Sequence, residues 1–115
     1  MDNLIEVKSF DFAVRIVKLY RYLTNEKNEY ILSKQLLRSG TSIGANVTEA
    51  ERGQSKADFY AKVNIALKEA CETHYWLRLL YRTDFMTEQE FLSIESDIKE
   101  IISILTAINK TNKKS

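Results

Sequence analysis

His74 and Cys71 are the only histidine and the only cysteine of the chain, and they stand three residues apart. At helical spacing this puts an imidazole and a thiol on one side of a helix, the pairing an activated thiolate nucleophile uses. Such a nucleophile also needs an exposed turn and an oxyanion site, and a helix interior offers neither. The pair is therefore read as a small core thiol beside a boundary imidazole. Glu69 and Glu72 lie close on the same segment, and Glu49 and Glu51 end another. Di-metal bundles set inward Glu residues beside Glu-x-x-His motifs. Here Glu72 precedes His74 by two, on a different face, and no second histidine exists. Gly40 and Gly44 lack the spacing and the Lys-Ser/Thr ending of a phosphate loop. No catalytic residue, metal, cofactor or small-molecule substrate is expected.

The basic residues offer a different chemistry. Lys8, Arg15 and Lys18 align roughly along one segment, and Lys34 and Arg38 are four apart on the next. Such a stripe can track phosphates, although charges at helical spacing also form ordinary solvated faces. Arg15, Lys18, Lys34 and Arg38 are the candidates for nucleic-acid contact. The whole chain carries only +1, so bulk charge lends that role no support. The charge is unevenly spread, however. Residues 1–56 carry nine Lys/Arg against seven Asp/Glu, whereas residues 83–108 carry one Lys against six.

The positioning elements read as four helices in one domain over residues 1–115. With no proline and three glycines, the chain is poorly supplied for tight turns. Being 44% hydrophobic and 29% charged, it can fill a core and solvate its surface. Ser9 is expected to cap a first helix, with Asp11 in its first turn. Phe10, Ala13, Val14, Val17 and Tyr20 supply its apolar face, and residues 1–7 are expected to fray. After a polar loop at residues 25–28, a second helix is expected from Glu29 to Arg52, with Tyr30, Leu37, Val47 and Ala50 on its apolar face. Its middle, Ser39 to Ala45, is a poor helix former, since each Gly costs about 1 kcal/mol relative to Ala. Close approach of another backbone at Gly40 and Gly44 would compensate.

Gly53 is expected to end that helix. Ser55, with Asp58 three residues on, starts a third helix that runs to about Arg82. Thr87 with Glu90 forms a capping box for the fourth. Phe91, Ile94, Ile98, Ile101, Leu105 and Ile108 then alternate in steps of three and four, a heptad seam. Residues 109–115 are expected to fray. The connections are short, so an antiparallel up-and-down bundle follows. No apolar run reaches the roughly 20 residues of a membrane span, and Met1 to Phe10 lack a signal-peptide pattern. The single cysteine allows no intrachain disulfide. The protein is expected to be cytoplasmic, with no membrane partner.

Several stretches resemble those of the 23S ribosomal RNA intervening-sequence proteins. They are Gln35 to Ala50 (QLLRSGTSIGANVTEA), Gln54 to Phe59, Ile65 to Ala70 and Tyr75 to Leu80. The opening Phe10 to Val14 and the ending Ile104 to Thr106 also fit, so the resemblance runs in order along nearly the whole chain. It implies a small antiparallel four-helix bundle that assembles into a pentameric ring, with no enzymatic activity. Accessory proteins of diversity-generating retroelements, which bind a reverse transcriptase and nucleic acid, are similar. Some relatives carry Pro-Ser where this chain has Gly44-Ala45, so the local bend is expected to differ.

Arg38, Ser42, Asn46, Glu49 and Glu69 fall within the matching motifs, and the first four share a helical face. They are expected to form a hydrogen-bonded network between helices or between subunits, nearly complete if buried. The leading expectation is a non-enzymatic homo-oligomer that binds structured RNA or a nucleic-acid-processing protein. The alternative is a pure protein-interaction scaffold, with the acidic fourth helix as its docking face.

Overall fold

The computed structural model describes residues 3–114, and the side chains of residues 4–112. The described residues form four helices: α1 (Asn3–Asn25), α2 (Leu32–Glu51), α3 (Lys56–Arg82) and α4 (Glu88–Lys114). They lie side by side in a bundle of 47 × 21 × 20 Å. α2 packs against both α1 and α3, and α3 packs against α4; α1 and α4 pack least closely. The helices therefore run around the core in chain order.

The starts of the last two helices follow their sequence signals. Ser55 accepts from the Asp58 N–H at 3.1 Å. Thr87 and Glu90 form a reciprocal box: the Glu90 N–H donates to Thr87 Oγ1 (3.1 Å), and the Thr87 N–H donates to Glu90 Oε1 (2.8 Å). α4 delivers its heptad seam as read, with Phe91, Ile94, Ile98, Ile101 and Leu105 buried and Ile108 partly so. It remains helical to Lys114, through most of the segment expected to fray.

α1 departs from expectation at its start and in its face. Helix begins at Asn3, so Ser9 lies inside it and caps nothing. The Ser9 hydroxyl donates to the Glu6 carbonyl at 3.2 Å and is 1% exposed. The buried face is Ile5, Ser9, Phe12, Ile16 and Leu23. Phe10 and Val14, expected in the core, are 68% and 41% exposed. α1 has two apolar faces, and periodicity alone does not choose between them. The core takes the face on which small Ser9 lets α2 come close.

α2 starts at Leu32, three residues later than expected. Glu29 stays outside and caps it, accepting from the N–H groups of Ile31, Leu32 and Ser33 at 3.3, 3.1 and 2.7 Å. The Ser33 hydroxyl donates back to the Glu29 carbonyl at 2.7 Å. Asn28, at φ 53°, takes the left-handed turn that precedes the cap. Tyr30, read as part of the apolar face, falls in this turn and is 60% exposed. α2 ends at Glu51, and Gly53 has no positive φ. A Cβ at Gly53 would lie 3.2 Å from both the Ala50 carbonyl oxygen and the Phe59 nitrogen, so glycine serves there for room.

The weak middle of α2 is offset by close approach, of another backbone at Gly44 as expected, but of a side chain at Gly40. A Cβ at Gly44 would lie 3.2 Å from the Ser9 carbonyl oxygen of α1, and one at Gly40 would meet Ile16 Cγ1 at 2.8 Å. On the α3 side, Thr73 donates to Ser39 Oγ at 2.9 Å; both side chains are fully buried. No buried side-chain nitrogen or oxygen lacks a partner among the described residues.

Two predictions follow from α2. Gly40→Ala should destabilise the protein by about 1–3 kcal/mol through overpacking, as read by urea denaturation. In an Ile16→Ala background, which removes the opposing atoms, the same change should become stabilising by up to about 1 kcal/mol. The second concerns Glu29. Burial pushes its carboxyl up, but the donated hydrogen bonds outweigh burial and hold it below the ordinary glutamate range. A pKa lowered on folding adds stability above the unfolded value of about 4.3. That stability is lost as pH falls through the lower folded value. Glu29→Ala should therefore cost about 0.5–2 kcal/mol at pH 7, and its difference from wild type should shrink in acid.

Candidate functional site

The candidate cations divide between two seams of the bundle. At the α1–α4 seam, Lys8 meets Glu100 at 2.8 Å. The hydrogen bond it donates to Glu100 outweighs burial and holds the Lys8 ammonium above its ordinary range. Two turns on, Arg15 Nη1 donates to Asp97 Oδ2 at 2.8 Å and to the Ser93 carbonyl at 3.3 Å, while Nη2 donates to Ser93 Oγ at 2.6 Å. Lys8, Arg15, Asp97 and Glu100 line an open groove of about 310 Å³, together with Phe12 and Ile101. Lys18 lines the next groove with Leu19, Tyr22, Met86 and Glu90.

At the α2–α3 seam, Arg38 reaches Glu69 at 3.1 Å and also pairs with Glu72. Glu72 in turn accepts from Trp76 Nε1–H at 2.9 Å, and the Trp76 ring holds Tyr75 edge-on, with centroids 5.0 Å apart at 74°. Of the expected network, the Arg38–Glu69 link crosses between helices. Ser42 and Asn46 instead donate to their own helix, at the Arg38 and Ser42 carbonyls (2.7 and 2.8 Å). Glu49 pairs separately with Lys62 at 3.4 Å. Sequence reasoning missed Glu72 and Trp76, although their spacings of three and seven from Glu69 already placed them on its face.

α1–α4 and α2–α3 are opposite seams, so Arg15 and Arg38 do not share a surface. Both already hold carboxylates. Lys34 is exposed one turn before Arg38.

His74 turns toward α4, with Nε2 2.8 Å from Glu95 Oε2. That hydrogen bond leads the effects holding the Glu95 carboxyl below its ordinary range, against burial and with help from Lys99. Cys71 is exposed, not the core thiol expected, because its helical position faces outward. No group of three or more His, Cys, Asp or Glu among the described residues could hold a metal ion. No helix of the described residues is long and apolar enough to cross a membrane.

The outer face of α1 is apolar. Leu4, Val7, Phe10 and Val14 are 46%, 57%, 68% and 41% exposed, and their spacings of three, three and four put them on one stripe. Glu6, Asp11 and Thr48 flank a shallow groove beside Val7 and Phe10.

Residues 1–107 match a family model described as the 23S rRNA-intervening sequence protein. Among solved structures, the chain is similar to a protein with unknown function from the S23 ribosomal protein family from Bacteroides thetaiotaomicron VPI-5482. The two are 58% identical and superpose with a TM-score of 0.93, over 95% of this chain and 97% of that one. No curated protein matches.

The two arginines should differ when removed. Arg38→Met leaves Glu69 and Glu72 one turn apart with no cation between them. Arg15→Met removes one exposed pair, worth about 0.2–1 kcal/mol. Urea denaturation at low salt should show the larger loss for Arg38→Met, and 1 M NaCl should narrow the gap.

Proposed function

This chain belongs to the 23S rRNA-intervening sequence protein family, and from that premise we propose that it is a non-enzymatic assembly protein of the cytoplasm. Its subunit is an antiparallel up-and-down bundle. Its copies close into a ring, a pentamer by the family resemblance. The ring binds structured RNA or a protein that processes nucleic acid.

The antiparallel arrangement draws support from the order of the contacts. Ser9 meets Gly44 and Ile16 meets Gly40. Lys8 pairs with Glu100 and Arg15 with Asp97. Arg38 reaches Glu69, while Glu49 reaches Lys62. In each case residue numbers rise along one helix as they fall along its neighbour. The non-enzymatic reading follows from the family resemblance, which implies no enzymatic activity.

One observation carries the assembly reading: the second apolar face of α1. From Leu4 to Val14 it runs about 15 Å, and Phe10 at its middle is mostly in solvent. Contiguous apolar surface on a small bundle marks an interaction site. A second copy is the occupant we assign, since most soluble oligomers are homo-oligomers of closed symmetry. The scaffold reading with α4 as an acidic docking face has less support. Glu95, Asp97 and Glu100 of that helix are already engaged by His74 and Lys99, Arg15 and Lys8 respectively.

Sedimentation velocity at tens of micromolar should show an oligomer for the wild type. It should show a folded, helical monomer for the double variant Phe10→Glu, Val14→Glu. A monomeric wild type would overturn the assembly reading, and a wild type that binds no labelled RNA at 50 mM salt would remove the RNA half.

A further inference from the structure

The cations of this bundle fall into two classes. Lys8, Arg15, Arg38, Lys62 and Lys99 each hold a carboxylate. Lys18, Arg21, Lys34, Arg52, Lys68, Arg78 and Arg82 are among those that hold none within the described residues. Of these, Lys68, Arg78 and Arg82 lie on α3 and, with Tyr75, share one exposed face at helical spacing. That face points away from the core side of α3, which is formed by Val63, Ala66, Ala70 and Leu77. No Asp or Glu occurs from Thr73 to Thr83, so nothing on this stretch of α3 neutralises the two arginines. Arg82 also stands in the last turn of α3, where a cation complements the helix dipole. That explains one arginine and leaves Arg78 without a structural role.

Tyr75, Arg78, Leu79 and Arg82 line a shallow open groove. Tyr75 is 53% exposed, yet its ring is fixed. Trp76 holds it edge-on, Glu72 holds Trp76, and Arg38 holds Glu72. An aromatic ring held in place in solvent, with Arg78 and Arg82 lining the same groove one and two turns further along α3, has the makings of a stacking platform. Arginine is the better suited of the two cations for phosphate recognition.

We propose that the outer face of α3 is the RNA-binding surface of this protein, and that it takes a single-stranded segment. Arg78, Arg82 and Lys68 contact successive phosphates, and Tyr75 stacks on a base. A paired base has no free face to offer Tyr75, which is why the strand must be single. This rests on the RNA reading above and moves the contact away from Arg15 and Arg38, whose charges are already committed. Arg38 becomes a positioning residue that acts through Glu72 and Trp76.

The test is fluorescence anisotropy with a labelled 12-nucleotide oligouridine, titrated from 50 to 200 mM salt. Three phosphate contacts on a single strand should give a slope of about −2 in log affinity against log salt. The double variant Arg78→Ala, Arg82→Ala should lose about 1.4 of that slope. Tyr75→Ala should weaken binding about fivefold or more, and Tyr75→Phe should restore it. All the substituted side chains are exposed, and circular dichroism checks that the bundle is retained. RNA binding by the wild type that is unchanged in the double variant would overturn this surface and leave the RNA reading standing. No binding by the wild type would overturn both. Tighter binding to a duplex of equal length, or displacement by polyglutamate at equal charge concentration, would overturn the single-stranded assignment in favour of shape recognition or an acidic protein partner.

Discussion

The close approach of α1 to α2 at Gly40 and Gly44 sets the geometry of everything else. Two positions without side chains bring a backbone carbonyl and an isoleucine of α1 within ordinary contact of α2. On its other side α2 uses Ser39 against Thr73, again small residues. α2 thus becomes the spine on which two neighbours are pressed. With α1 and α3 held there, α4 fits closely against α3 but not against α1. The remaining gap is spanned by long side chains, Lys8 to Glu100 and Arg15 to Asp97 and Ser93.

That arrangement also explains how the charge is used. The basic first half and the acidic last helix are brought together as α1 and α4, and much of their charge is neutralised inside the subunit. Bulk charge near zero therefore conceals a division between committed and uncommitted cations. Surface pairs of this kind contribute little to stability. Their larger effect is to narrow the set of residues free to meet a polyanion.

Sequence patterns worked best where one local interaction dominates. The Thr87–Glu90 box, the Ser55 cap and the α4 seam each depend on residues a few positions apart, and all three stand in the structure. The glycines of α2 were legible because a weak helix former in a helical context demands a tertiary reason. The face of α1 was not legible. Phe10 and Val14 compete on equal terms with Phe12 and Ile16, and the outcome depends on Ser9 meeting Gly44, thirty-five residues away. The same long-range contact keeps Ser9 inside the helix, where local capping preference would put it at the start. The Glu29 cap escaped notice because its side chain reaches forward to the helix start from just after a left-handed turn at Asn28. The candidate site was legible only in part. The Arg38–Glu69 link was within reach of the motifs, whereas the splitting of Arg15 from Arg38 across opposite seams needed the order of the helices around the core.

The open α1–α4 seam gives the subunit a built-in line of breathing. Three neighbouring helix pairs are closed by apolar packing, and the fourth is closed largely by salt-sensitive bridges over partly solvated grooves. Motions that part α1 from α4 leave the α2 spine and the α3–α4 seam intact, so they lie low on the ladder of native-state openings. In hydrogen-exchange terms, amides facing that seam report local opening, and those of α2 around Ile43 report the global transition. The bundle is in this sense a clasp, hinged at α2 and fastened electrostatically on the far side.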